Sequence, residues 1–306
     1  MSQPASVARP TLCLGEALVD LICERPGASL AEAKSFVPHF GGAVANVAVA
    51  AGRGGAPVAL AGGAGRDEWG QWLRDRLERE GCDVARFHLI AGTRTPLAVV
   101  TVGIDGEPRY TIYGDAAATI VHALGDGVRE AVAGCVALFL SSNTLVGARE
   151  RAVTMEAREA ALALGRSIVF DPNLRLNRWR SSAAAADCAS ACVPDALLVR
   201  ANQPEAALMT GESDVDRAAW RIVEAGARMV VITLGPRGAI LRGDRRADVE
   251  GVAADVRSTV GAGDVLTGVL LAGLALRDFD PAAVPASLHE AVAAAAAACE
   301  RWGALD

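Results

Sequence analysis

Lysine is all but missing from this chain: Lys34 is the only one, so nearly all of the positive charge is arginine. That absence excludes any mechanism that needs a lysine inside a motif, such as the lysine of a glycine-rich phosphate loop. Aromatic residues are scarce at 4% while hydrophobic residues make up 52%, so the core is built from Ala, Val and Leu. There is no basic cluster and the net charge is −6, which argues against a nucleic-acid partner. The N-terminus has no basic region followed by a long apolar core, so no signal peptide is evident. The apolar stretch Ala291–Cys299 is too short to span a membrane and reads as a packed alanine-rich helix, so no membrane partner is expected. Four histidines and seven cysteines are scattered without metal-ligand spacing; Cys188 and Cys192 lie one helical turn apart, but no histidine or second cysteine pair follows. An odd, scattered set of cysteines reads as buried reduced thiols, hence a reducing cytoplasm.

What is present is an alternation. Short apolar runs expected to be strands are Thr11–Gly15, Leu18–Cys23, Phe36–Phe40, Pro57–Ala61, Val84–Ile90, Val136–Leu140, Ser167–Asp171, Ala196–Ala201 and Met229–Leu234. Helical patterns lie at Ala43–Gly52, Asp67–Glu80, Ala148–Leu164, Ser182–Cys192, Pro204–Thr210 and Asp214–Ala225. Two further helices, about Ala262–Leu276 and Ser287–Trp302, close the chain after a late hairpin of Gly238–Leu241 and Ala247–Val252. Strand–helix alternation implies an α/β fold with a mainly parallel sheet covered on both faces. Leu97–Ile104 and Pro108–Tyr113 flank Asp105-Gly106, a hairpin signal that interrupts the alternation. No internal repeat or linker divides the 306 residues.

Ligands of open parallel sheets sit beyond the carboxyl ends of the strands. Polar and glycine residues gather there: Gly15-Glu16, Asp171-Pro172-Asn173, Asn202 with Glu205, Thr233-Leu234-Gly235, and Gly261-Ala262-Gly263-Asp264. The last turn precedes an apolar helix-like run. Its small side chains leave backbone N–H groups bare at a helix N-terminus, which suits an anion such as phosphate. Asp264 at that end is either a helix cap or a base directed at whatever the anion is bonded to. Gly41-Gly42-Ala43-Val44-Ala45-Asn46 reads either as a tightly packed helix start or as a close backbone approach to a small polar ligand that Asn46 hydrogen-bonds.

Two of these segments, G-G-A-V-A-N and S-T-V-G-A-G-D-V-L-T-G, resemble the paired signatures of the ribokinase-like (PfkB) sugar kinases. Intermediate matches extend the resemblance over nearly the whole chain. They are G-E-A-L-V-D at 15–20, G-R-D-E-W-G at 65–70, D-P-N-L-R at 171–175, N-Q-P-E at 202–205 and T-L-G-P-R-G at 233–238. The D-P-N-x-R run is similar to that of fructokinases and 2-keto-3-deoxygluconate kinases. The resemblance implies one three-layer α/β/α kinase domain over 1–306, with a small β-sheet lid from about 17–40 and 94–118. It implies transfer of the ATP γ-phosphate to a sugar hydroxyl, with Asp264 as base and the Gly261, Ala262 and Gly263 backbone holding the phosphoryl group. It places Asp20, Gly41, Gly42, Asn46 and Arg175 against the sugar. Asn202, Thr233, Gly235, Gly238 and Thr259 fall near the nucleotide, and Asn202 and Glu205 order Mg²⁺ through water.

Two departures bear on the substrate. Ser258 stands where the family often has Asp on a loop associated with a monovalent cation, which leaves potassium activation in doubt. Tyr113-Gly114-Asp115 stands where an Arg often reads the substrate, so a neutral sugar, fructose first, is expected. 2-Keto-3-deoxygluconate comes next, then ribose-type sugars or nucleosides. A dehydrogenase is disfavoured because Glu68 occupies the third glycine position after Gly63 and Gly65. A non-catalytic sugar sensor is disfavoured by the intact G-A-G-D turn. Apolar residues on both sides of the lid strands (Leu97, Val99, Val100, Tyr110, Ile112) lead to the expectation of a homodimer through the lid.

Overall fold

The computed structural model describes residues 9–114 and 124–305. Strands β1 (Thr11–Leu14), β2 (Leu18–Cys23) and β3 (Val37–Gly41) precede helix α1 (Ala43–Arg53). Next come β4 (Val58–Gly65), α2 (Glu68–Arg79), β5 (Phe87–Ile90), the hairpin β6 (Leu97–Val102) and β7 (Pro108–Tyr113), and the short helix α3 (Val128–Ala133). The alternation then resumes with β8 (Ala137–Ser141), α4 (Ala148–Ala163), β9 (Ser167–Asp171), α5 (Ser182–Ser190), β10 (Leu198–Asn202), α6 (Gln203–Thr210), α7 (Val215–Glu224) and β11 (Met229–Thr233). The hairpin β12 (Ala239–Gly243) and β13 (Ala247–Val249) and the helices α8 (Ala262–Ala275) and α9 (Val284–Cys299) complete the chain.

Nine strands form one sheet in the order β13-β12-β11-β10-β9-β8-β1-β4-β5. All its pairings are parallel except those of β11 with β12 and β12 with β13. The alternating faces of its strands enter two apolar clusters, as a sheet buried on both sides requires. Cys13 and Phe139 face the cluster built with α1, α2, α8 and α9, whereas Leu12, Leu14, Leu138 and Leu140 face the one built with α3 to α7. Residues Pro281–Cys299, a longer run than Ala291–Cys299, form a helix that by length and composition alone is apolar enough to cross a membrane. Here Leu288, Ala291 and Ala298 are wholly buried in the first cluster.

A second sheet, in the order β3-β2-β6-β7, stands over the carboxyl ends of the large one. Its inner face carries Leu18, Ile22, Ala98, Val100 and Val102, packed with Val260 of the segment before α8. Tyr110, Ile112 and Trp302 cover this small core. The lid residues offered as the reason for a dimer are therefore partly accounted for within one chain, since Val100 is fully buried and Tyr110 and Ile112 turn inward. Asp115, and positions 115–118 of the expected lid segment, lie outside the described residues.

Element by element, the differences from the sequence reading have local causes. β4 runs on through Gly62–Gly65 because its neighbours crowd in: a Cβ at Gly62 would stand 2.1 Å from the Gly15 carbonyl oxygen, and one at Gly63 would stand 2.5 Å from that of His88. β5 starts only at Phe87, because Asp83 accepts from the Ala85 amide and the Phe87 amide bonds back to Val84 in a turn. α3 is one short helix of 6 residues, below the length at which a periodic pattern can be read.

Candidate active site

The G-A-G-D turn opens α8. Gly261 is its N-cap residue at φ 72°, in the left-handed region, and no side chain caps the helix. A Cβ at Gly261 would fall 2.1 Å from that of Ala304, so the end of the chain closes over the turn from behind. The uncapped first-turn N–H groups and the helix dipole face outward, an arrangement that attracts negative charge. Asp264 does not cap its own helix. Its Oδ2 accepts a hydrogen bond from Asn46 Nδ2 at 2.9 Å, across 218 residues of sequence. Of the two readings open for Asp264, the structure therefore removes the cap. Burial pushes its carboxyl up to about 7, against the opposing pull of the Asn46 hydrogen bond and of Arg175.

Asn46 reaches this carboxylate because Gly41-Gly42 carries the chain into α1. Gly42 has φ 98°, and a Cβ there would stand 2.7 Å from the Glu16 carbonyl oxygen. At Gly41 a Cβ would stand 2.4 Å from Asp20 Oδ2, so the missing side chain makes room for that carboxylate. Asp20, on the inner face of β2, is buried; that burial, and next the charge of Asp264, raise its pKa to about 7.

Two hollows meet at Asp264. The enclosed one, under the lid, is lined by Asp20, Gly42, Asn46, Asn143 and Glu16, with Leu18, Ala98 and Ile112 of the lid above. The open one is a groove lined by Asn173, Leu174, Arg200, Asn202, Thr259 and Gly263. Gly261, Asp264, Arg175 and Tyr110 belong to both. The Arg175 guanidinium lies over the Tyr110 ring, 4.9 Å from its centroid, so its side chain is held at the site rather than left in solvent. The turn that presents it places Asn173 at φ 41°, a conformation asparagine tolerates better than most residues. Glu205 fixes the same turn: Oε1 accepts from the Leu174 amide at 2.7 Å and Oε2 from the Asn202 amide at 2.9 Å, while Asn202 Oδ1 accepts from the Glu205 amide in return. Asn202 and Glu205 are thus a capping box for α6.

Arg200 lines the groove, a position the sequence reading passed over. It is a buried cation between Leu198, Val199 and Ala201, and that contrast with its apolar neighbours is the signal that could have marked it. Nη2 donates to Thr233 Oγ1 at 2.9 Å and Nη1 to Asp171 Oδ2 at 3.3 Å. Thr267 of α8 donates to the same Asp171 oxygen at 2.7 Å. The guanidinium lies directly against the anion turn, where a Cβ on Gly263 would stand 2.8 Å from Nη1. Thr233 thus reaches the site through Arg200. Gly235 and Gly238 line neither hollow, and Gly238 instead admits the backbone of Val249 to Gly251. Asn143, just beyond β8, was also missed, although the strand-end rule that selected the other positions applies to it equally.

Among the described residues, no three His, Cys, Asp or Glu side chains gather to hold a metal ion. Both Glu205 oxygens are engaged by backbone donors. The donor set does not fit an ion chelated by protein; it fits one carried by nucleotide phosphates and touched through water at Asn202. Ser258 is fully buried, and its Oγ accepts from the Val260 amide at 3.2 Å, so its hydroxyl serves the local turn.

The lid closes on the turn through the tip of the β6–β7 hairpin. The Thr259 amide donates to the Gly106 carbonyl at 2.9 Å, and Thr259 Oγ1 lies 3.3 Å from Glu107 Oε2.

Known proteins resemble this chain in sequence and in fold. Fructokinase-1 of Oryza sativa subsp. japonica is 33% identical over 262 residues, 84% of this chain and 80% of the relative. The PfkB protein of Polaromonas sp. JS666 superposes with a TM-score of 0.81 at 26% identity, covering 96% of both chains. Fructokinase of Vibrio cholerae O395, solved with fructose, ADP and calcium ion bound, superposes with a TM-score of 0.82 at 25% identity, covering 97% of this chain and 95% of that one. The family model for pfkB family carbohydrate kinases matches residues 10–306, and the chain belongs to that family.

Proposed function

We propose that this kinase transfers the γ-phosphate of ATP to a hydroxyl of a small neutral sugar, fructose first, with Asp264 as the general base. The observation that carries this reading is the position of Asp264 in the wall common to the enclosed cavity and the open groove. A sugar in the cavity and a triphosphate in the groove would bring hydroxyl and γ-phosphate together at one carboxylate. The enclosed side offers Asp20, Asn46 and Arg175 to sugar hydroxyls, with the Gly42 backbone close by. The groove side offers the backbone of Gly261, Ala262 and Gly263 to the transferring phosphoryl group. Arg200 stands behind that turn as a fixed positive charge, which suits a reaction that needs positioning and charge stabilisation more than covalent chemistry. Thr259 and Asn202 flank the groove on the nucleotide side, and the Thr233–Gly238 turn supports it from behind. A magnesium ion bound to the nucleotide phosphates would neutralise their charge. Asn202 meets its water shell, and Glu205 holds Asn202 in place.

The dependence on potassium is weak in this reading, because Ser258 offers a neutral hydroxyl already used by its own turn. All seven cysteines are free, five of them buried, which suits a reducing cytoplasm. ADP release measured over a panel of sugars, sugar acids and nucleosides tests the proposal. Turnover highest with fructose supports it. Faster turnover of 2-keto-3-deoxygluconate, ribose or a nucleoside overturns the substrate, and no ADP release with any acceptor overturns the activity in favour of a sugar sensor.

A further inference from the structure

The enclosed cavity holds a carboxylate that the transfer chemistry does not use. Glu16 lies two residues beyond β1, is only 4% exposed, and lines the cavity together with Asn143. Asn143 Nδ2 donates to Glu16 Oε1 at 2.9 Å, and Arg178 Nη1 donates to Asn143 Oδ1 at 3.2 Å. This relay fixes the amide orientation, because flipping Asn143 would set its NH₂ group against an arginine N–H. It also pins one Glu16 oxygen and leaves the other: Oε2 is buried and has no hydrogen-bond partner. A buried carboxylate oxygen without a donor is costly, and native proteins seldom leave one unless a ligand or water completes it.

Resting on the kinase reading above, we infer that Glu16, positioned by Asn143, reads a second hydroxyl of the acceptor, distinct from the one phosphorylated, and selects neutral sugars over acidic ones. A sugar hydroxyl is a donor and satisfies Oε2. A carboxylate or phosphate has no proton to give, and it would enter a cavity already walled by Glu16, Asp20 and Asp264 with Arg175 as the cation among its lining residues. Charge-assisted hydrogen bonds are the strong ones, so loss of this contact is large enough to measure.

The test compares kcat/KM for D-fructose with that for each form lacking one hydroxyl, first in the unmodified enzyme and then in Glu16→Gln. Should another neutral sugar of the panel be turned over faster, that sugar and its deoxy forms replace fructose. In the unmodified enzyme, one deoxy form other than that lacking the phosphorylated hydroxyl falls by about 10–100-fold. Glu16→Gln raises KM for the parent sugar by a similar factor, changes kcat by less than about threefold, and erases the penalty on that one analogue. The variant also narrows the gap between fructose and 2-keto-3-deoxygluconate. A deoxy series in which no such analogue loses more than about threefold overturns the inference while leaving the kinase reading intact, and it requires no variant to fold. So does a Glu16→Gln enzyme that loses the same factor on every analogue, which would mark Glu16 as a support for the fold. An unmodified enzyme that releases no ADP with any panel sugar overturns the kinase reading and this inference with it.

Discussion

At the scale of the residue, the proposed mechanism turns on Asp264. Asp264→Asn keeps the shape and can still accept from Asn46 Nδ2, but it cannot take a proton from a hydroxyl. Turnover should fall roughly 10²–10⁴-fold, with both substrates still bound; retention of a tenth of parent turnover in a steady-state ADP assay would remove the base from the mechanism. Its folded pKa of about 7 lies above the ordinary aspartate value of 3.8, so the folded state holds the extra proton between those limits. Stability contributed by this group therefore declines as pH rises through that window. Asp264→Asn should accordingly melt at or above the parent temperature at pH 8, and the difference should vanish near pH 4; calorimetry at both pH values reads it directly. The same raised pKa gives kcat/KM an acid limb near pH 7, because the base must be ionised to act, and a flat profile down to pH 5 would contradict that. Ser258 yields a prediction in the other direction: exchanging a bulky organic cation for potassium should change turnover by less than about twofold, since hard cations prefer charged oxygen ligands. Most of these positions were legible as polar residues at strand ends. Arg200 and Asn143 carried a signal as well, a cation in an apolar run and a polar residue past a strand end, but their partners (Gly263, Thr233 and Asp171 for one, Glu16 for the other) come from remote segments that only the fold brings together.

The elements themselves were largely visible in the sequence, because a parallel strand buried on both faces reads as a short apolar run, as Met229–Thr233 and Ala137–Ser141 do. What sequence could not show was close approach: the glycine-rich extension of β4 reads as loop until Gly15 and His88 are seen beside it. The hairpin tip is another such case. Gly106 sits at φ 82°, and a Cβ there would stand 2.7 Å from Val256 Cγ1, so valine at this position would strain the turn and push it off Thr259. If the lid and the Gly261–Asp264 turn close as one unit, Gly106→Val should raise the sugar KM about tenfold or more while kcat falls less, because a smaller fraction of enzyme is closed. An unchanged KM in a coupled ADP assay would show that the two move independently.

At the scale of the whole molecule, the lid leaves apolar side chains uncovered. Ile104 is 92% exposed and Tyr113 53%, both on the hairpin, and β7 is an edge strand of the small sheet. A second copy pairing through the lid would cover them. Light scattering should give twice 31.4 kDa at micromolar concentration, and a monomer mass would contradict the pairing. Asn46 meets Asp264 only because α1 and α8 lie in close contact, where a Cβ on Gly268 would stand 2.4 Å from that of Ala50. During synthesis on a ribosome, a chain still short of residue 262 would carry all nine strands of its large sheet and the proposed acceptor residues, but neither the proposed base nor the complete Gly261–Asp264 turn. Such a chain could capture sugar and could not spend nucleotide on it, so phosphoryl transfer would begin only when the last helices dock.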